Sequence, residues 1–163
     1  MERLWSPWRL GYVMGERPAG CVFCTLQDVE DGPGNLIVRR EPHAFLILNR
    51  YPYTTGHCMV VPRRHVVELV DLEPAEVSGV WSLVARVSAV LRGPFTAHGV
   101  NVGVNLGSAS GGSIAHLHVH LVPRWNGDTN FMPVVGGTKV MVESLEDTYT
   151  RLVAGVDAAG WDA

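Results

Sequence analysis

The sequence predicts an α+β fold: an antiparallel sheet of about five strands, one long helix across it, and a second helix near the C-terminus. Three observations carry this. Between Leu36 and Val61, short apolar runs are bounded by Gly, Pro and Asn, the punctuation of a strand meander. From Pro74 to Arg92, apolar residues recur at spacings of three and four. Finally, His116-Leu-His118-Val-His120-Leu alternates imidazole with aliphatic side chains, the two-residue period of a strand, so three imidazoles share one face while Leu117, Val119 and Leu121 point into a core.

Taken in order, Leu36 to Val38, Ala44 to Leu48 and Cys58 to Val61 read as an antiparallel meander. Pro74 supplies a helix start, Val77, Val80, Val84, Val87 and Leu91 form the stripe that covers one sheet face, and Gly93-Pro94 ends it. Val100 to Leu106 and His116 to Val122 are two further strands. Between them Gly107 to Ser113 holds three Gly, three Ser and Ala109. Such a loop lets backbone N–H groups approach an anion, although a plain hairpin connection has the same composition. Glu143 to Val156 reads as the second helix, and no repeat or long linker interrupts the chain.

With 163 residues and 47% hydrophobic content, the chain is read as one domain, and no run approaches the roughly 20 apolar residues that span a bilayer. A net charge of -3 argues against a nucleic-acid polymer as partner and favours a small ligand. The start Met1 to Trp8 lacks a signal-peptide stretch, which makes the cytoplasm the expected compartment. Three cysteines fit a reduced setting. Cys58 lies in an apolar run and reads as core. Cys21-Val-Phe-Cys24 could chelate a soft cation, given two more ligands from elsewhere.

Three imidazoles in register admit three readings. Each could be a hydrogen-bonded core residue; together they could hold zinc with an open position for water; or one could attack phosphorus, with the Gly/Ser loop supplying donors for developing negative charge.

Gly111-Gly112-Ser113 followed by His116-Leu-His118-Val-His120-Leu121-Val122-Pro123-Arg124 resembles the signature of the histidine triad superfamily of nucleotidyl hydrolases and transferases. The resemblance extends upstream through Leu48-Asn49-Arg50, Thr55-Gly56-His57 and Val61-Pro62-Arg63-Arg64-His65. Asn130-Phe131-Met132-Pro133 and Gly136-Gly137-Thr138-Lys139 are similar to bacterial members of the fragile-histidine-triad and diadenosine tetraphosphate phosphorylase branch. It implies a single domain over 1–163, with a core at about 21–125, an N-terminal arm 1–20 and an extension 126–163.

On this resemblance His118, the middle member of the triad His116, His118 and His120, is the nucleophile that takes up a nucleoside monophosphate. His120 and His57 contact the phosphate or leaving group. Ser113 donates to a phosphate or bridging oxygen, Asn105 lies beside the scissile phosphate, Asn49 binds the ribose, and Gly111 and Gly112 form the phosphate-side loop. From the residues alone, Asn49 reads as a turn cap and His57 as a strand-end surface residue. Members with an N-terminal Cys-x-x-Cys complete a structural zinc with the equivalents of His65 and His116, so Cys21, Cys24, His65 and His116 would form a closed site. One departure is Gly112, where many members carry Gln. His43 and His98 match no motif and read as surface or turn residues.

The expected activity is cleavage of dinucleoside polyphosphates such as diadenosine tri- or tetraphosphate through nucleotidyl-His118. Phosphate is favoured over water as acceptor, because Gly112 clears space beside the leaving group and Arg124 and Lys139 could supply positive charge. The alternatives are a purine nucleoside phosphoramidase of the Hint type and a nucleotide-binding interaction protein. A homodimer is expected, with Trp81 and part of the valine stripe of the long helix turned toward a two-fold partner.

Overall fold

The computed structural model describes residues 20–161, so the start of the chain and nearly all of the expected N-terminal arm lie outside the described residues. Five strands form one sheet: β1 (Ile37–Arg40), β2 (Ala44–Leu48), β3 (Cys58–Pro62), β4 (Gly99–Val104) and β5 (Val119–Arg124). Their spatial order is β1-β2-β3-β5-β4, and every neighbouring pair is antiparallel. The helices are α1 (Val22–Leu26), α2 (Pro74–Arg92), α3 (Met132–Val135) and α4 (Leu145–Ala158). After the β1–β3 meander, α2 carries the chain across the sheet to its far edge, where β4 turns back into β5. The last strand therefore lies inside the sheet, next to β3.

The capping chemistry of α2 is reciprocal: the Glu73 side chain takes the Glu76 backbone N–H while the Glu76 carboxylate receives that of Glu73, with Pro74 in the first turn. Val80, Leu83, Val84, Val87, Val90 and Leu91 are buried under it. Val77, at 37% exposure, is the one stripe position on the rim, and Trp81 beside it is 45% exposed. α4 begins one turn's cap later than the expected Glu143, because Ser144 accepts the Asp147 N–H at 3.0 Å. It packs on β1 and α2, with Leu152 and Val156 fully in the core.

Register fixes the two faces of the sheet. Ile47 lies opposite Met59, which lies opposite His120, so these three share a face; Leu48, Cys58 and Leu121 share the other. Cys58 is buried, as expected. Two strands differ from expectation at their starts. β1 begins at Ile37 rather than Leu36, because Leu36 takes φ 64 and Asn35 Oδ1 accepts the Ile37 N–H at 3.0 Å.

β5 begins at Val119, so His116 and His118 precede it. The physical reason lies in β3, which ends at Pro62, a residue without an N–H for the ladder. The Pro62 carbonyl is instead taken by the His116 ring, and the approaching segment is held by a single 2.7 Å bond from Leu117 N–H to Val66 O. Leu117 accordingly packs with Val66 and Leu72 in a small cluster apart from the main core, unlike Val119 and Leu121. β4 ends at Val104, short of Leu106, as the chain enters the Gly/Ser loop, where Gly107 and Gly111 take φ +75 and +89. Among the described residues no helix is long and apolar enough to cross a membrane.

Candidate active site and metal centre

One end of the His116–His120 segment gathers soft ligands. Cys21 Sγ is 3.2 Å from His116 Nδ1, Cys24 Sγ is 3.4 Å from His65 Nδ1 and 3.7 Å from His116 Nδ1. The four potential ligand atoms of Cys21, Cys24, His65 and His116 lie within 4.8 Å of one another. A tetrahedral zinc with bonds of about 2.3 Å to sulfur and 2.0 Å to nitrogen has sulfur–nitrogen edges of about 3.5 Å, the spacing found here. His116 Nε2–H donates to Pro62 O at 2.9 Å, which leaves Nδ1 as the lone pair facing the thiols. The donor set and its outer hydrogen bond fit a closed Cys₂His₂ centre. Phe23, between the two cysteines, turns inward and meets the edges of His116 and His118 at ring distances of 5.7 and 5.3 Å.

The other end is a row of imidazoles. His118 Nδ1–H donates to the His116 carbonyl at 2.7 Å, so its Nε2 carries the free lone pair. The His118 and His120 rings meet edge to face at 4.8 Å. His57 Nε2 is 3.0 Å from His120 Nδ1, and the Tyr53 backbone N–H donates to His57 Nδ1 at 3.0 Å. That amide fixes the rest: His57 must carry its proton on Nε2 and give it to His120 Nδ1, which leaves His120 Nε2–H as an outward donor. The Tyr53 ring stacks on His57 at 4.7 Å and 26°.

Burial keeps the row neutral. Desolvation, followed by the neighbouring charges of His120, His118 and Lys139, pushes His57 down to about 3. Desolvation and then His118 bring His120 to about 4. His118 is also lowered by desolvation, against the bond to the His116 carbonyl. At neutral pH the site thus offers an unprotonated nucleophilic nitrogen beside an N–H donor, which is what attack on phosphorus requires.

His57 is fully buried at the head of β3, a correction to its surface reading from the residues alone. Gly56 before it takes φ +81, and a Cβ there would lie 3.0 Å from the Phe95 ring and 3.1 Å from Pro123, so only glycine makes this turn without displacing a neighbour. Asn49 does cap a turn, its Oδ1 accepting the Tyr51 N–H at 2.9 Å, while its amide nitrogen lies 3.4 Å from His57 Nδ1.

Gly111, Gly112 and Ser113 form the loop that leads into His116. A Cβ at Gly112 would lie 3.3 Å from Asn105 Cβ, so Asn105 packs against the space that glycine leaves. Arg124 corrects the expectation of a free cation. Its Nε and Nη2 bind both carboxylate oxygens of Asp128 at 2.6 and 2.8 Å, and Nη1 reaches Asn101 Oδ1 at 3.2 Å. His98 is a turn residue as expected, accepting the Asn126 N–H at 2.8 Å. A separate cavity of about 180 Å³ lies under the 50–56 loop, bounded by Leu48, Pro52, Met141 and Leu145, and no imidazole lines it.

Sequence reasoning missed Tyr53, Phe23 and the Pro62 carbonyl. A signal existed for Phe23: with Cys21 and Cys24 turned to one ligand cluster, the aromatic between them faces the core. None existed for the backbone groups.

Comparison with known proteins adds relatives to this geometry. A family model described as "HIT domain" matches residues 33–127. The chain is 41% identical over 165 residues to a protein named AP-4-A phosphorylase from Mycobacterium tuberculosis, covering 94% of this chain and 83% of that protein. It is 33% identical over 95 residues to the asymmetrical bis(5'-nucleosyl)-tetraphosphatase of Schizosaccharomyces pombe, covering 58% of this chain and 52% of that one. Among solved structures, a zinc-bound histidine triad family protein from Mycobacterium smegmatis superposes with a TM-score of 0.71 at 27% identity, over 88% of this chain and 98% of that one.

Proposed function

Because the chain belongs to the HIT family, we propose that it is an enzyme that cleaves dinucleoside polyphosphates through a covalent nucleotidyl-His118 intermediate, with diadenosine tetraphosphate as substrate and inorganic phosphate as acceptor. The observation that carries this reading is the orientation of His118: its Nδ1–H is held by the His116 carbonyl, which leaves the lone pair on Nε2, beside the neutral His120–His57 pair. The relatives named AP-4-A phosphorylase and bis(5'-nucleosyl)-tetraphosphatase support the substrate class.

In the first half-reaction the His118 Nε2 lone pair forms a bond to the α-phosphorus, and the bond from phosphorus to the bridging oxygen breaks. ATP leaves with that electron pair. His120 Nε2–H donates to the oxygen on which charge develops, and the Tyr53–His57 bonds keep that proton facing the substrate. In the second half-reaction a phosphate oxygen attacks the same phosphorus. The nitrogen–phosphorus bond breaks, its electrons return to Nε2, and ADP forms with the proton of the attacking phosphate retained on its terminal group. Asn49 takes the ribose, Asn105 and the Gly111–Ser113 loop take phosphate oxygens, and adenine is the base.

Cys21, Cys24, His65 and His116 would hold one zinc. Four protein ligands leave no open position, so the metal would brace α1 against the sheet and take no part in bond cleavage. We read 1–163 as a single domain acting as a homodimer in the cytoplasm; the exposed Trp81 on α2 supports the dimer.

The test is incubation with diadenosine tetraphosphate in buffers with and without millimolar phosphate, with nucleotide separation and intact mass spectrometry of quenched enzyme. Phosphorolysis gives ADP and ATP only with phosphate present, and a one-AMP adduct that His118→Ala lacks. AMP plus ATP at equal rates in both buffers would make water the acceptor, and turnover by His118→Ala would end the covalent reading.

A further inference from the structure

Helix α4 approaches the end of α2 closely, and Gly155 makes this possible. A Cβ there would lie 3.0 Å from Val90 Cγ1, in the last turn of α2, and 3.3 Å from Pro94 Cγ just beyond it. Four residues earlier, on the same face of α4, Arg151 reaches Phe95, which follows Pro94 in the chain. Its guanidinium carbon lies 3.9 Å from the centre of the Phe95 ring, the distance of a stacked cation. Nη2 donates to Glu143 Oε2 at 2.9 Å, and that carboxylate oxygen is also 3.0 Å from the buried Thr148 hydroxyl. Arg151 Nε is buried and has no acceptor among the described residues. The guanidinium is thus located by one ion pair and one aromatic face rather than by a full set of hydrogen bonds.

Phe95 is itself buried, and one edge of its ring is what Gly56 meets: Cδ1 and Cε1 both lie 3.0 Å from where a Cβ of that glycine would stand. Pro123 makes the second contact at 3.1 Å, and its carbonyl accepts from Thr54 Oγ1 at 3.0 Å. Elsewhere the turn is not packed, since Thr55 and Gly56 line the cavity of about 180 Å³ together with Glu143 and Thr148. A turn bordered by free volume keeps its place only as well as the groups that support it.

His57 follows Gly56 directly. Its backbone N–H donates to Thr54 O at 3.1 Å and its carbonyl accepts the Asn49 N–H at 2.9 Å, so its ring moves with the turn. The 3.0 Å bond from Nε2–H to His120 Nδ1 ends this line of contacts.

Resting on the reading above, in which His120 serves the leaving group, we propose that Arg151 and Phe95 are positioning residues: the guanidinium, fixed by Glu143, clamps the Phe95 ring against Gly56 and thereby sets the turn that aims His57 Nε2–H at His120. The C-terminal helix carries no imidazole, yet in this way it aligns the row.

The experiment follows the His57 ring directly. In protein labelled with ¹⁵N-histidine the buried Nε2–H should give a hydrogen-bonded proton signal in slow exchange with water, identified by its loss in His57→Asn. Arg151→Met keeps an unbranched side chain at a half-buried position and removes both the stack and the ion pair. It should speed exchange of that proton about tenfold and lower kcat on diadenosine tetraphosphate about tenfold, with KM unchanged within a factor of about two, since a displacement of under about 1 Å at the reacting groups costs this much. Phe95→Leu should do the same, and adding Arg151→Met to it should change little further, because the two residues act in series. A His57 proton that exchanges at the wild-type rate in Arg151→Met overturns the proposal whatever happens to Tm, and so does an unchanged kcat. Additive effects in the double variant also overturn it, since Arg151 would then act by another route. Should Phe95→Leu fail to fold, Arg151→Met alone decides. Absence of the AMP adduct from the wild type, with the His57 signal still responding to Arg151→Met, would instead fault the covalent reading and leave the positioning role standing.

Discussion

Removing His57 should flatten the acid limb of the stability curve. In the folded protein His57 is held at about 3 and His120 at about 4, whereas an exposed imidazole titrates near 6.5. Between those values the unfolded chain binds protons that the folded chain does not, so stability is complete above about pH 6.5 and is lost as pH falls toward 4. At pH 5 each exposed imidazole is almost fully protonated and each buried one almost fully neutral, so each of the two contributes a slope on the order of 1 kcal/mol per pH unit. His57→Asn keeps the volume polar and removes one titrating group. The assay is urea unfolding at half-unit steps from pH 7 to 4.5, reading the slope of stability against pH rather than its absolute value, which the lost hydrogen bonds will also lower. The variant's slope should be shallower by about 1 kcal/mol per pH unit near pH 5. Metal release at low pH affects both proteins and drops out of the comparison. Parallel curves for wild type and variant would refute the claim that His57 is buried in its neutral form.

Four further outcomes follow from the same geometry. Protein purified without added metal should carry one zinc per chain, and Cys21→Ser or His65→Ala should lower both occupancy and Tm, by about 10 °C, given several kcal/mol of binding energy and roughly 2–4 °C per kcal/mol at this size; full occupancy in either variant would exclude this ligand set. Gly56→Ala meets a φ of +81 and a 3.0 Å approach to Phe95, so it should cost about 2 kcal/mol and depress kcat by displacing His57, both checked on one preparation. Light scattering should give twice the chain mass of 17.8 kDa, and Trp81→Glu should return it to one. His118→Ala should lose on the order of 10³-fold in kcat while nucleotide binding by calorimetry persists.

Much of the site was legible in the sequence because its parts are close together there. The alternation of His116, His118 and His120 and the Cys-x-x-Cys pair are local patterns; His57 and the grouping of Cys21, Cys24, His65 and His116 came only through the family resemblance, and those four ligand atoms lie within 4.8 Å of one another. What escaped depends on main-chain atoms and on termination of a ladder. The period-two pattern runs from His116, yet β5 starts at Val119, since Pro62 ends the partner strand and no periodicity records that. Arg124 looked available although Asp128, four residues on, was in plain view; the missing knowledge was that the chain turns there, with the Trp125 N–H also on Asp128 at 3.3 Å. Leu117 shows the same limit: its alternation is right and its destination is a different cluster.

The groups that orient the imidazoles are the Tyr53 amide, the His116 carbonyl and the Pro62 carbonyl. Every residue type but proline presents the first, and all present the other two. Alanine scanning is therefore blind to the device that sets each tautomer: Tyr53→Ala strips the stacked ring and leaves the hydrogen bond in place. Sequence drift at these positions is likewise free to change side chains without re-aiming the His118 ring. Only an edit to the backbone itself, such as an amide-to-ester replacement at residue 53, would reach it, and the unit that variation must preserve here is a path of the chain rather than a set of letters.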